Sequence, residues 1–132
     1  MVLHQRYGDL TQIVLADLMG HDDTAKFFSH AWGGYLRGLM HLDSDTKSPD
    51  VLLNILSACA FEDDLLSMIT LTCAAVSLKP QGEIAVCTAG HPPPMLISPQ
   101  HIEPLEVQGV LPGLVPNAAY QSLNVRLGKS QR

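Results

Sequence analysis

The stretch from Met68 to Leu78 (Met-Ile-Thr-Leu-Thr-Cys-Ala-Ala-Val-Ser-Leu) is apolar on both faces that an extended chain would present. A strand of that kind needs cover on each side, so the spacing predicts a central position in a sheet. Lys79-Pro80-Gln81-Gly82 follows with the Pro and Gly of a tight turn. Glu83 to Ala89 then alternates, with Ile84, Val86 and Thr88 on one face and Ala85 and Cys87 on the other. The two runs read as an antiparallel hairpin at the centre of the fold. A shorter apolar run, Ile13 to Ala16, reads as another buried strand, and it ends on a carboxylate, Asp17. Gly20-His21 and a helical pattern come next. Such a junction holds Asp17 on a rigid edge, while Gly20 lets the backbone turn sharply or pass close to a ligand.

Two helices are expected between these strands. The first starts at Asp22 or Asp23, either of which can accept hydrogen bonds from first-turn amides, and its core face is Ala25, Phe28, Trp32, Tyr35, Leu36 and Leu39. Gly33, Gly34 and Gly38 each weaken it by up to ~1 kcal/mol relative to Ala, but permit close packing. Leu42 to Lys47 is a polar connection. Ser48 as cap and Pro49 at the first helical position start the second helix, whose buried stripe is Val51, Leu52, Ile55, Leu56 and Cys59. Weaker strands are expected at Met95 to Ser98, at Ile102 to Val107 interrupted by Pro104, and at Gln121 to Leu127. Trp32, Tyr35, Met19, Met40 and Met68 are assigned to the core. Asp63 and Asp64 read as a solvated acidic loop, and Pro92-Pro93-Pro94 as a stiff connection.

Composition narrows the function classes. A length of 132 residues with 46% hydrophobic content suits one domain with one core. Net charge −5 with only 8 Lys and Arg offers no basic stripe for nucleic acid and instead suits a divalent cation. No apolar run approaches the roughly 20 residues of a membrane span, and the first residues lack a signal-peptide pattern, so a cytoplasmic location and no membrane contact are expected. Cys59, Cys73 and Cys87 are unclustered in apolar segments and read as buried thiols. No serine sits in a Gly-x-Ser-x-Gly turn, and no Cys pairs with a His by motif.

Four segments in order, Val14-Leu15-Ala16-Asp17-Leu18-Met19-Gly20-His21, Met68-Ile69-Thr70-Leu71-Thr72, Thr88-Ala89-Gly90-His91-Pro92-Pro93-Pro94 and Val110-Leu111-Pro112-Gly113-Leu114, carry a family resemblance. Together they resemble the bacterial protein serine/threonine phosphatases of the stage II sporulation protein E family, a branch of the metal-dependent type 2C (PPM) phosphatases. The resemblance runs over roughly residues 10 to 127. It implies an α/β (α+β) layered sandwich of mostly antiparallel sheets flanked by helices, here as a single partial domain over 1–132. It further implies Mn²⁺ or Mg²⁺ as cofactor, two ions in the complete family domain, with Asp17 as catalytic metal ligand beside the backbone carbonyl of Leu18. Gly20, His21, Gly90 and His91 would shape the loops of the site. The imidazoles are expected to hydrogen-bond neighbouring backbone and fix those loops.

The family's earlier Gly-Gly-Asp-type segment and later Asp-Gly segment, each supplying a metal carboxylate, have no counterpart here. Gly8-Asp9 is the only upstream candidate, and the chain reads as the middle of the domain. By resemblance the substrate is a phosphoserine or phosphothreonine on a regulatory protein of the anti-sigma-factor-antagonist type. The alternatives are a catalytically inactive binding or regulatory module, or a fragment of a larger response-regulator protein. A homodimer joined at an unpaired sheet edge is a further expectation, which sedimentation showing only monomer would count against.

Overall fold

Backbone amides of the apolar run find partners on both sides, and the sheet grows outward from it. The computed structural model describes residues 1–42, 45–128 and 131. In chain order the elements are β1 (Val2–Tyr7), β2 (Leu10–Leu18), α1 (Asp23–Leu42), α2 (Pro49–Glu62), β3 (Leu71–Leu78), β4 (Glu83–Ala89), β5 (Met95–Ile97), β6 (Ile102–Pro104) and β7 (Leu123–Arg126). A five-stranded sheet has the order β1-β2-β3-β4-β7, and β5 pairs with β6 apart from it. All these pairings are antiparallel. β3 is the middle strand, as its two apolar faces require.

Both helices cover one face of the sheet. Val14 and Ala16 of β2, Leu71, Cys73 and Ala75 of β3, and Cys87 and Ala89 of β4 join Phe28, Trp32, Leu36 and Met40 of α1 and Leu52, Leu53, Leu56 and Ala60 of α2 in a single core. Residues of opposite parity face the other way. There Leu15 is 39% exposed and Ile13 and Val76 are half-buried. Val86 and Thr88 also face that way, yet they are buried; at Thr88 the chain at 107–109 lies close, with Thr88 Oγ1 donating to the Val107 carbonyl at 3.1 Å.

Several expectations shift for identifiable reasons. β1 was not foreseen, because Val2 to Tyr7 carries few apolar side chains; it forms through the register Val2–Leu15 to Tyr7–Leu10, burying Leu3 alone. The central strand starts at Leu71 rather than Met68. Asp63 Oδ1 accepts the amides of Leu65 (2.8 Å) and Leu66 (2.9 Å), starting a 3₁₀ turn over Leu66–Met68, so Asp63 caps a turn instead of lying idle in a loop. Met68 (71% exposed) and Met19 (66%) consequently project from turns and are not core, whereas Trp32 and Met40 are.

Pro49, Leu52, Leu53, Leu56, Ser57 and Ala60 are the buried face of α2, a stripe rotated from the one expected. The helix is apolar nearly all round, so its periodicity alone does not fix which side turns inward. Ser48 precedes Pro49 with an extended backbone and makes no side-chain cap bond to the helix. Its hydroxyl instead meets the Asp50 carboxylate. The expected polar connection at 42–47 falls partly outside the described residues, at Asp43 and Ser44, and so do Lys129, Ser130 and Arg132 near the end.

Candidate functional site

Asp17 is the penultimate residue of β2, exposed, and directly opposite Thr72 of β3. The Met19 amide donates to the Thr70 carbonyl at 3.0 Å, while on the other side of β2 Ala16 exchanges bonds with Met1 at 2.9 and 2.7 Å. Successive residues of an antiparallel strand direct their backbone groups to alternate sides. Leu18 therefore turns its carbonyl away from β3, to the side where β1 has already ended. A cavity of about 310 Å³ opens at this strand end, lined by Asp17, Leu18, Gly20, His21, Asp22 and Lys26 among others. A second one, of about 300 Å³ and lined by Lys79, Ile84 and Arg126, sits at the opposite end of the sheet, away from both Gly-His motifs.

The turn after β2 is built by Gly20 and Asp22. Gly20 has φ +103°, a conformation L side chains rarely adopt. Asp22 Oδ1 accepts the Ala25 amide at 2.9 Å and caps α1. His21 is exposed. Among the described residues no hydrogen bond holds its imidazole, so its expected bond to the loop backbone does not form. Gly8-Asp9 is excluded from this site. It forms the β1–β2 turn, roughly 26 Å along β2 from Asp17 at ~3.3 Å per residue.

The second Gly-His motif arrives two strands away. Gly90 has φ +65°, lies against Leu111 and donates its amide to the Gly109 carbonyl at 2.7 Å. His91 Nδ1 lies 2.8 Å from Thr72 Oγ1, so its partner is a side chain rather than the loop backbone expected. The ends of β2, β3 and β4 thus bring Asp17, Thr72 and His91 together along one edge. Thr72 lies within the Met-Ile-Thr-Leu-Thr segment but carries no role of its own in the sequence pattern. The available signal was a hydroxyl at the start of the central strand, in register with a strand-end carboxylate.

The Leu-Pro-Gly-Leu segment braces this corner from behind. The Gly113 amide donates to Ser57 Oγ at 3.1 Å, and a Cβ on Gly113 would lie 3.0 Å from Ala60 Cβ. The Tyr120 hydroxyl lies within bonding distance of Ser57 Oγ (3.3 Å) and the Val110 carbonyl (3.1 Å). Burial pushes the thiol of Cys73 up to about 12 and that of Cys87 up to about 11, which leaves both protonated and unsuited to nucleophilic or ligand chemistry at neutral pH.

The Asp17 carboxylate and the Leu18 carbonyl are hard oxygen donors of the kind Mg²⁺ and Mn²⁺ take, and Mg²⁺ commonly keeps several waters on one or two carboxylates. Among the described residues no group of three or more His, Cys, Asp or Glu side chains is placed to hold a metal. Asp17 and the Leu18 carbonyl would thus give one hydrated cation two protein oxygens at the end of β2.

An antiparallel sheet with helices on one face, and a carboxylate-bearing strand end flanked by two Gly-His corners, define a phosphatase fold of the PP2C type. The family described as stage II sporulation protein E (SpoIIE) matches residues 8–132, and this chain belongs to it. Solved structures agree. The RsbU and RsbW domains of a Mycobacterium tuberculosis protein superpose with TM-score 0.76 at 21% identity, over 99% of this chain and 36% of that one. The SiaA-PP2C domain of Pseudomonas aeruginosa gives 0.80 at 13% identity, over 98% and 51%. The PP2C phosphatase domain and regulatory fragment of SpoIIE from Bacillus subtilis give 0.68 at 15%, over 99% and 38%. The chain spans about a third to a half of these solved chains, and at such identities the likeness is one of fold. No curated protein matches the chain, and among the described residues no helix is long and apolar enough to cross a membrane.

Proposed function

We propose that this chain is part of a metal-dependent protein serine/threonine phosphatase domain, hydrolysing phosphoserine or phosphothreonine on a signalling protein of the anti-sigma-factor-antagonist type. Family membership supports the reaction class, and the substrate class is the one that the family resemblance of the four motifs implies. The observation that carries the reading is the exposed Asp17 carboxylate at the end of β2, lining a cavity beside the open side of Leu18. Asp17 and the Leu18 carbonyl would hold Mn²⁺ or Mg²⁺. Such an ion, when bound, supplies an activated water and neutralises phosphoryl charge. Gly20 shapes the mouth of the cavity, Asp22 fixes the helix start behind it, and Lys26 adds a cation to its wall.

A second reading is a non-catalytic regulatory module, favoured by the lack of a three-ligand cluster among the described residues. Titration calorimetry with Mn²⁺, together with phosphoserine-peptide turnover, on the wild-type chain and on Asp17→Asn separates the two. Binding and turnover that both vanish in Asp17→Asn support the phosphatase. A wild type that neither binds nor turns over supports the module.

A further inference from the structure

Lys26 lines the same cavity as the candidate cation ligand. Asp17 and Leu18 bound that space of about 310 Å³ at the end of β2, and Asp22, Ala25, Lys26 and Ser29 bound it at the start of α1. The latter four recur at helical spacing, so one face of α1 is turned to the cavity and Lys26 belongs to it. That face comes close to the strand end, since a Cβ on Gly20 would lie 3.3 Å from Ala25 Cβ. Among the described residues lining the cavity, Lys26 is the one lysine or arginine. Its ammonium meets Asp23 Oδ1 at 2.8 Å, in a pair whose side chains are 72% and 97% exposed. Exposed pairs of this kind contribute little to stability, and a lysine head swings on a flexible four-carbon stem. Turning into the cavity therefore gives up only this exposed contact.

We propose that Lys26 is a substrate-binding residue that selects a dianionic phosphomonoester: its ammonium leaves Asp23 and donates to a phosphoryl oxygen beside the cation at Asp17. This role rests on the reading of Asp17 as a cation ligand and goes beyond it by naming what holds the substrate. Charge decides the selectivity. A divalent ion on one carboxylate keeps a single positive charge, whereas a phosphoserine side chain brings close to two negative ones at neutral pH. Lys26 supplies the positive charge still needed. Asp22, the other carboxylate in the lining, is engaged in capping α1 through the Ala25 amide. A phosphodiester, with one negative charge, is balanced by the ion alone.

The test is titration calorimetry on the whole chain saturated with Mn²⁺, with two probes: a phosphoserine peptide, and the same peptide with its phosphate methyl-esterified. Lys26→Met keeps the apolar stem and removes the charge. It is expected to weaken phosphoserine-peptide binding about 10-fold, the lower end for a charged hydrogen bond because the cavity is open to water. Binding of the methyl ester and of Mn²⁺ should stay near wild type, and Lys26→Arg should keep most of the peptide affinity. Arg37→Met, on α1 but outside the lining of this cavity, should leave peptide binding unchanged. An equal loss in Arg37→Met, or equal losses for both peptides in Lys26→Met, would show a general charge effect and overturn the proposal. Full peptide affinity in Lys26→Met, with Mn²⁺ binding still lost in Asp17→Asn, refutes the role of Lys26 and leaves the cation reading standing. So does a Mn²⁺-loaded wild type that does not bind the phosphoserine peptide. Unchanged Mn²⁺ affinity in Asp17→Asn, or no Mn²⁺ binding by the wild type, refutes both.

Discussion

Replacing Thr88 by Val changes almost no volume, yet it cuts the tether that holds residues 107–109 against the sheet. Thr88 is fully buried and donates to the carbonyl of Val107, itself only 6% exposed. Val keeps the branched shape and removes the donor, leaving that carbonyl without its partner in a dry setting. The expected cost is about 1–3 kcal/mol. With a urea slope of ~1–3 kcal/mol/M, the unfolding midpoint should fall by about 1 M. Thr88→Ser is the matched comparison: it keeps the donor, loses one buried methyl, and should cost about 1 kcal/mol. The consequence reaches the candidate site, because Gly109 in the tethered segment accepts the Gly90 amide beside His91. Thr88→Val should therefore also broaden the His91 ring resonances, and Thr88→Ser should not. A Thr88→Val protein within ~0.5 kcal/mol of wild type, the range of an indifferent surface change, would refute the argument.

Three further outcomes rest on two glycines and a pair of thiols. Gly82→Ala is expected to destabilise by roughly 1–3 kcal/mol: φ is +78° and the new Cβ would lie 2.8 Å from the Leu127 carbonyl. Gly34→Ala, in an exposed turn of α1 with nothing within 4 Å, should instead stabilise by ~0.5–1 kcal/mol in the same urea titrations. The raised thiols of Cys73 and Cys87 make stability alkali-sensitive. Below the ordinary thiol value of 9.0 the contribution is fully present, and it is lost as pH rises toward about 11 and about 12, because the unfolded chain releases those protons first. Urea midpoints across that window should fall, and less steeply in Cys87→Ala; equal slopes would contradict the burial argument.

Local pattern was enough for the elements whose neighbours in sequence decide them. The double-faced apolar run placed β3 at the sheet centre, the Pro-Gly turn fixed its pairing with β4, and Asp22 with its following helix marked the carboxylate-bearing junction. Those choices depend on covering apolar area and on turn chemistry, both local. Asp17 and the two Gly-His corners were visible in the same way, Leu18 entered only through the family resemblance, and their convergence at one end of the sheet is the fold's addition.

Tertiary structure alone decided the rest. β1 exists because β2 offers an edge, not because Val2 to Tyr7 is apolar. The inward side of α2 was set by Gly113 and Tyr120 reaching Ser57 from more than fifty residues away, a contact no periodicity carries. Met19 and Met68 left the core because β2 ends at Leu18 and β3 begins only at Leu71, which leaves both on turns. Gly8-Asp9 looked near Asp17 along the chain, but an extended strand separates them, since a strand is a spacer as well as a connector. The pairing of Thr72 with Asp17 and with His91 needed both the register of β2 on β3 and the corner at Gly90. Sequence named the candidate groups, and the sheet, by fixing which strand ends meet, determined which of them stand together.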